Sequence, residues 1–574
     1  MEKDIWKKAH VWAESDDFDK TTRHEIQTLI DEKNEKELQD RFWKDLEFGT
    51  GGLRGILGAG SNRMNVYNIR KVTQGLANYI ILQNGAYQGV VIGRDSRNGS
   101  LEFAQEAASV LVANGIRVYF FRDICPTPVA SFTILQVGAK AGIMNTASHN
   151  PREYNGYKVF WDDGAQLVPP HDELVMQEIK RITELSAVKR MDFAEAEKSS
   201  LFEYCDSYFD HYIQAAKMFI RDSELCRSTD LKVLYSPLHG AGYKIVPQLM
   251  NVIGFQHFEV FQVQAQPDGN FPSAPYPNPE NPQAMQPGIK HAEGKKSDLF
   301  IATDPDADRI GVACKSQHNN YLLLNGNQIG ALILDYLVRY LIPQNSFVVS
   351  TIVSSPLISK IARAHGVEYI ECLTGFRWIS AKMQELRAQG KNFLFGMEES
   401  HGYNISSLVH DKDGVSATAI FAELAAFHKH QHVGLDQALF EIAKKYGYFK
   451  DSQESLSFPG AEGVLTMQKM MDEFRAKPFA EINSIKVEKY ADFETGIIKD
   501  AQNKPVGWTN LPKSNVFVFY LENNARIVAR PSGTEPKIKF YFSTEHSVNC
   551  EHCVQQADTE HQALKETFLS MIHS

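Results

Sequence analysis

Between residues 89 and 400 short apolar runs alternate with helical stretches, and the alternation restarts three times. GVVIGRDSR (89–97) is followed by a helical FAQEAASVLVANG, then by RVYFF and AKAGIMNTASHNP. A second unit opens at LKVLYSPLHGAG (231–242) and continues to IGVACK (310–315). A third, from about residue 326, carries SFVVSTIV, VEYIEC and NFLFGMEES. Strands alternating with helices predict sheets of mainly parallel strands covered on both faces. The expected fold is therefore α/β: three successive α/β domains of similar three-layer type. After about residue 455 longer helices and one late strand pair, ARIVAR and KIKFYFS, predict a smaller C-terminal α+β domain. No residue-level repeat accompanies the three units.

The expected boundaries are a helical lead over 1–48, domain I over 49–208, domain II over 209–325, domain III over 326–454 and the C-terminal domain over 455–574. The lead reads as charged helices, for example RHEIQTLIDEKNEKELQDRFWKDL (23–46). With 43% apolar and 23% charged residues in 574, the chain has the composition of a globular protein with ample core. Its 70 acidic and 60 basic residues are dispersed, and the absence of a long basic block argues against a nucleic-acid partner. The run IGALILDYLVRYLI (329–342) contains Asp335 and Arg339, so it does not read as a membrane span. MEKDIWKKAHVWAESDD is too charged for a secretory signal. Seven scattered cysteines suit a reducing setting, and a cytoplasmic location is expected; nothing in the sequence sets an oligomeric state. Cys550 and Cys553 form a CxxC without a four-ligand zinc pattern or a thioredoxin-like strand, and are expected to be ordinary thiols at the start of the last helix. The segment PDGNFPSAPYPNPENP (267–282) reads as a stiff loop packed inside the second unit rather than as a polyproline ligand.

Four stretches carry groups suited to chemistry. In SDLFIATDPDADRIGVA (297–313) a strand-like run ends in Asp304, Asp306 and Asp308, and Pro305 keeps the turn from being helical. Three converging carboxylates would repel by roughly 3–4 kcal/mol per pair at an effective dielectric of 20. Hard oxygen ligands at a strand end suit Mg²⁺; the alternative is a solvated acidic turn. In NTASHNP (145–151) Ser148 stands directly before His149 on a loop at the carboxyl end of a strand, where α/β folds bind ligands. Neighbouring side chains diverge, so His149 is not expected to meet the serine unless the turn bends sharply. No G-x-S-x-G elbow is present. In NNARIVARPSGTEPKIKFYF (523–542) Arg530, Ser532, Gly533 and Thr534 form either a cradle for a phosphate monoester or a plain hairpin turn, with Lys537 and Lys539 on one face of the next strand. In FLFGMEESHGY (393–403) Glu398 and Ser400 form either a grip on vicinal sugar hydroxyls or a helix start.

Together, GTGGLRG (49–55), TASHNP (146–151), DPDADR (304–309), GMEES (396–400) and RPSGTEPKIK (530–539) resemble, in this order, the motifs of the α-D-phosphohexomutase superfamily, which includes phosphoglucomutases and phosphomannomutases. The long lead and the LEFGTGGLRG entry resemble the branch holding phosphopentomutase-like enzymes. The resemblance implies four domains around a central cleft and a Ser148 that carries a phosphoryl group. It further implies Mg²⁺ held by Asp304, Asp306, Asp308 and an oxygen of the phosphorylated Ser148. The phosphoserine would phosphorylate a hexose phosphate substrate, and the sugar 1,6-bisphosphate, also the activator, would turn around and return its other phosphoryl group. Arg54, His149 and Lys158 fall at positions that serve this transfer, Lys158 or His149 exchanging the proton of the attacking hydroxyl. Thr50 and Arg309 would steady the phosphoserine and the metal loop. Arg530, Ser532, Gly533 and Thr534 would bind the distal phosphate, with Lys412 and Lys539 helping, and Glu398 and Ser400 the sugar hydroxyls. In the sugar-discriminating loop TGFRWI (374–379), which holds Gly375, Arg377 replaces the lysine of many relatives, and the two are not interchangeable at a shaped site. The leading expectation is a phosphoglucomutase acting between glucose 1- and 6-phosphates. Phosphomannomutase and phosphopentomutase are alternatives with the same mechanism, and a serine hydrolase or phosphatase is the alternative of another class.

Overall fold

The computed structural model describes residues 2–46, 52–340, 344–458, 460–532 and 537–573. Its chain forms two compact units: residues up to 315 with 321–324 and 401–430, and residues 316–320, 325–400 and 431 onward.

The first unit begins with the lead: α1 (Glu2–Glu14), α2 (Lys20–Asp31) and α3 (Glu35–Phe42). Asp19 and Asn34 cap α2 and α3 by accepting from Thr22 N and Glu37 N, which fixes where each helix starts. Ile26, Leu38 and Phe42 bury against Ala59 of the following domain. Trp12 packs on Phe18, Phe42 and Tyr67.

Domain I contributes β1 (Leu53–Ile56), β2 (Val90–Arg94), β3 (Val118–Phe120), β4 (Ala141–Asn145), β5 (Tyr154–Trp161) and β6 (Phe202–Tyr204), in the order β1-β5-β4-β2-β3-β6. β4, β2, β3 and β6 are parallel; β1 and β5 run antiparallel to their neighbours. β2 and β4 are buried almost throughout, as expected of central strands covered on both sides.

Domain II contributes β7 (Val233–Ser236), β8 (Phe258–Val260), β9 (Leu299–Thr303), β10 (Ile310–Lys315) and β11 (Tyr321–Leu324), in the order β11-β10-β9-β7-β8. β9 and β10 are antiparallel neighbours, so the chain between them must reverse within six residues. The proline-rich segment 267–282 is a packed loop, with Phe271 and Ala274 buried, as its stiffness predicts.

In the second unit β12 (Ser346–Thr351), β13 (Glu368–Cys372) and β14 (Asn392–Glu398) lie parallel in the order β13-β12-β14. The chain then returns to the first unit as β15 (Gly402–Asn404) and the helix Gly414–His430.

The C-terminal sheet corrects the expectation of a single strand pair. β16 (Tyr448–Ser457), β17 (Glu481–Ile482), β18 (Ile485–Asp492), β19 (Ile497–Asp500), β20 (Pro505–Trp508), β21 (Phe517–Leu521), β22 (Arg526–Pro531) and β23 (Lys537–His546) form an antiparallel sheet, ordered β16-β23-β22-β21-β18-β19-β20 with β17 on β18. Its core packs Phe474, Phe517, Phe519 and Phe540 against Phe568 of the last helix, Glu551–His573. β16 spans the expected 454/455 boundary yet pairs along its length with β23. A second correction concerns Cys550 and Cys553: they are joined as a disulfide, because one turn at the start of the last helix brings their Cα atoms to 5.3 Å.

Candidate active site

β9 ends at Thr303, and the reversal that follows places Asp304, Asp306 and Asp308 together, all fully buried. One oxygen from each lies within 4.8 Å of the others. The turn is held from several directions. Ala307 adopts φ 52°, and Asp304 Oδ1 accepts the amides of Asp308 (3.1 Å) and Arg309 (3.0 Å). Gly240 packs so closely on Pro305 that a Cβ there would lie 2.3 Å from Pro305 Cα. Thr127 bonds Asp306 twice, N to O at 2.8 Å and Oγ1 to Oδ2 at 2.8 Å.

Ser148 follows β4, the strand whose C-terminal end faces this turn. Its Oγ donates to Asp304 Oδ2 at 2.6 Å, so the serine and acidic motifs share one site. Its backbone has φ 51°, a left-handed conformation that bends the chain enough to bring His149 Nδ1 to 3.2 Å from Ser148 Oγ. The expectation that the two side chains diverge is thereby corrected: the turn is bent, and the histidine meets the serine.

Two lysines neutralise the acids. Lys158, on β5, places Nζ 2.7 Å from Asp306 Oδ2 and 3.0 Å from Asp308 Oδ2; Lys412 reaches Asp308 Oδ2 at 3.2 Å. Burial works against a charged Lys158, but Asp306 and Asp308 outweigh it and raise its pKa. Burial likewise works to raise Asp306, and Lys158 reverses that and lowers it. Asp304 is pushed well up by burial and by repulsion from Asp306 and Asp308. His149 is held well below the ordinary imidazole range by burial and by Arg309, Arg54, Arg97 and Lys158.

Arg54, exposed on β1, donates to Asn150 Oδ1 at 2.9 Å. Arg309 pairs with Glu280 at 3.0 Å, tying the acidic turn to the proline-rich loop. Asp306 Oδ1 and Asp308 Oδ1 are buried and accept no hydrogen bond among the described residues. Buried carboxylate oxygens in that condition, beside hard oxygen donors and a serine hydroxyl, fit a divalent cation.

The second unit holds the other motifs. Glu398, at the end of β14, accepts Gly375 N at 2.8 Å, which links this carboxylate to the loop carrying Arg377. Arg377 packs its guanidinium 5.0 Å from the Trp378 ring centroid. Ser400 lies in the turn after β14. Arg530 and Lys539 are register partners on β22 and β23, and Ser532 N donates to Lys537 O at 2.8 Å. Thr50, Gly533 and Thr534 lie outside the described residues. Glu399, not singled out from the sequence, is bonded by Thr351 and Ser354; burial and Glu398 raise it to about 7 against the pull of Lys539 and Arg530. In the first unit, sequence reasoning missed Asp95, Arg97, Thr127 and Thr146. GRDSR carried a signal in its buried-strand context, two charges following an apolar run.

Three family models match this chain in succession: phosphoglucomutase/phosphomannomutase α/β/α domain I over residues 45–186, domain II over 206–317 and domain III over 325–446. The chain belongs to this family. Phosphoglucomutase of Staphylococcus epidermidis strain RP62A is 35% identical over 529 residues, covering 92% of this chain and 95% of that protein. Phosphoglucomutase of Staphylococcus aureus strain MSSA476 is 35% identical over 519 residues, covering 90% and 93%. Among solved structures, a family protein from Burkholderia thailandensis matches with TM-score 0.64 at 20% identity, covering 91% of this chain and 97% of its own. The open form of pp63/parafusin, a phosphoglucomutase from Paramecium, matches with TM-score 0.68 at 17% identity, covering 92% and 96%. These two establish likeness of fold. The α-D-phosphohexomutase resemblance and the three α/β domains with an antiparallel C-terminal sheet are thus confirmed, and the protein is a mutase of the isomerase class.

Proposed function

We propose that this mutase interconverts glucose 1-phosphate and glucose 6-phosphate through a phosphorylated Ser148. The observation that carries the reading is the 2.6 Å bond between Ser148 Oγ and Asp304 within the buried acidic cluster. A lone exposed serine would be a turn residue; a buried serine bonded to one of three clustered carboxylates, which two lysines pair with, supports a phosphoryl carrier. The relatives that this chain covers almost end to end are named phosphoglucomutases, which supports glucose as the sugar.

In the forward half-reaction the phosphoserine P–O bond breaks as a bond forms to the free hydroxyl of the hexose monophosphate, which gives up its proton. The bisphosphate then turns around and phosphorylates Ser148 with its other group, releasing the isomer. Phosphoryl transfer demands positioning and charge neutralisation more than covalent chemistry. Lys158 and Lys412 supply fixed positive charge, and Arg54 stands beside the serine loop through Asn150. Lys158 is committed to two carboxylates, whereas His149 Nδ1 lies within hydrogen-bond reach of Ser148 Oγ, which supports His149 over Lys158 as the group that exchanges the proton. Asp304, Asp306, Asp308 and the Ser148 phosphoryl oxygen would hold Mg²⁺, which when bound neutralises charge on the transferring group. Glu398 and Ser400 grip ring hydroxyls, and Arg530, Ser532, Gly533, Thr534 and Lys539 bind the phosphate not being transferred; Thr50 and Arg309 steady the phosphoserine and the acidic turn.

Intact-mass measurement after incubation with glucose 1,6-bisphosphate should show one added phosphoryl group, absent in Ser148→Ala. The variant should lose mutase turnover by on the order of 10⁴-fold or more. Steady release of inorganic phosphate from the monophosphate, in place of isomerisation, would replace this reading with a phosphatase.

A further inference from the structure

Arg97 follows β2 and is 3% exposed. Its guanidinium is spent on one task. Nη2 donates to the carbonyls of Ser148 (2.6 Å) and Asn150, and Nη1 donates to those of Pro151 (2.8 Å) and Tyr154 (3.1 Å). Nε faces Asp95 Oδ2 at 3.3 Å. A guanidinium has five N–H groups; four meet carbonyls of the serine loop and the fifth faces a carboxylate. Nε, beside Asp95, makes no hydrogen bond among the described residues, and burial closes the whole group off from a substrate phosphate.

Asp95 completes the hold from the other side. Its Oδ2 accepts Thr146 Oγ1 at 2.6 Å, and that hydroxyl accepts Ser148 N at 2.8 Å. Ser148 is therefore fixed at its amide through Thr146 and Asp95, and at its carbonyl by Arg97. Such double restraint is what a non-glycine residue at φ 51° requires, because that unfavourable conformation persists only where its surroundings over-determine it.

The floor under Arg97 comes from domain II. The guanidinium carbon sits 4.9 Å from the ring centroid of Phe271, a fully buried residue of the proline-rich loop held at φ 45°. Gly269 of that loop packs against the 96–98 turn so tightly that a Cβ would lie 2.5 Å from Asn98 N, and Asn98 Nδ2 donates to Asn270 Oδ1 at 3.0 Å.

We propose that Arg97, wedged between Asp95 and the ring of Phe271, is a positioning residue for phosphoryl transfer: it fixes the direction of Ser148 Oγ without touching substrate, and the proline-rich loop exists to seat it. The inference rests on Ser148 being the phosphoryl carrier. Because one serine serves both half-reactions, an error in its direction slows both equally. Lysine cannot replace the planar fork, since a single ammonium cannot span four carbonyls.

The test uses the full-length protein with Mg²⁺. In Arg97→Lys, kcat with glucose 1-phosphate should fall about 100-fold while KM moves less than about threefold, the pattern of a displaced group rather than a lost contact. Phosphorylation of Ser148 by glucose 1,6-bisphosphate and dephosphorylation by glucose monophosphate should slow in the same proportion. Amide exchange over 146–151 should quicken, while β2–β4 keep their protection. Phe271→Leu, which keeps every guanidinium hydrogen bond and removes only the ring, should lower kcat about tenfold with the same split. A folded Arg97→Lys with wild-type turnover, or with raised KM at unchanged kcat, overturns the proposal, as does unchanged exchange over 146–151. If Arg97→Lys does not fold, wild-type turnover and exchange in Phe271→Leu overturn it instead. Failure of the wild-type protein to take a phosphoryl group on Ser148 would refute the mutase reading itself, and the exchange measurement separates that outcome from failure of the clamp.

Discussion

His561, on the inner face of the last helix, is 2% exposed, its ring nitrogens facing Ser452 Oγ at 2.7 Å and Thr544 Oγ1 at 3.0 Å. Burial, assisted by Lys450, lowers its pKa from 6.5 to about 4. The unfolded chain therefore binds this proton more readily than the native one. The stability conferred by the neutral ring is complete above pH 6.5 and is lost as the pH falls toward 4, by about 2 kcal/mol at pH 5. Amide exchange in β16 and β23, followed from pH 7 to pH 5, should show this loss in the wild type and not in His561→Gln. An equal acid sensitivity in both proteins would mean the ring does not stay neutral. At this scale the sequence was informative wherever chemistry dictated the residue type. Three aspartates at alternate positions beside a proline predicted converging carboxylates, and the structure brings them together. It was silent where conformation decided: nothing in Ser148-His149 foretold φ 51°, and the contact between them exists only because of it. Arg97 was hidden for a similar reason, because its value lies in carbonyls 51–57 positions away.

α1–α3 lie ahead of the family's domain I match, which starts at residue 45, yet they are bonded into domain I. Arg41 Nη1 donates to Ala59 O at 3.0 Å, Asn62 N donates to Arg41 O at 2.9 Å, and Arg63 pairs with Asp40 at 2.7 Å. Phe42, 1% exposed, joins Ile26 and Leu38 to Ala59. Phe42→Ala should cost about 3–5 kcal/mol of the docking of these helices. Hydrogen exchange in α1–α3 should accelerate by roughly 10²- to 10³-fold or more, while β2 and β4 remain protected, since elements open in separable units. Uniform acceleration across domain I would instead make the lead part of its core. Legibility at this scale followed burial pattern. GVVIGRDSR, RVYFF, AGIMN, SFVVSTIV and NFLFGMEES appear as β2, β3, β4, β12 and β14, because largely buried strands are apolar runs, and VEYIEC appears as the partly buried edge strand β13. β16 was invisible: KDSQESLS has neither an apolar run nor a clean alternation, and β23 holds it by backbone ladder. β1, at the sheet edge, and β5, antiparallel between it and β4, were missed because both lie beside motifs read for chemistry.

For the whole molecule, the sequence conveyed the succession of three α/β domains but not which parts of the chain make one compact body. Residues 401–430 follow β14 in sequence and belong to the first unit in space. The helix Gly414–His430 is anchored there by Tyr212 donating to Asp413 at 2.6 Å and by Lys429 pairing with Asp298 at 2.8 Å. That anchoring delivers Lys412 to Asp308. Such pairings join residues 131–201 positions apart and leave no local periodicity to read. The consequence is a prediction resolved by unit. Among the described residues, the side chains that bond to the three aspartates, Ser148, Thr127, Lys158 and Lys412, all come from the first unit. A cation bound by Asp304, Asp306 and Asp308 should therefore stabilise that unit by mass action, by about 2.7 kcal/mol at a hundredfold excess over its dissociation constant. Mg²⁺ added to chelator-treated protein should slow amide exchange in β9, β10 and 146–151, leave β12–β14 unchanged, and restore the turnover that EDTA removed. Asp306→Asn should abolish both the slowing and most of the turnover while the protein stays folded, because Lys158 keeps Asp308 as its partner. Equal slowing in both units, or full activity in EDTA, would place the cation elsewhere.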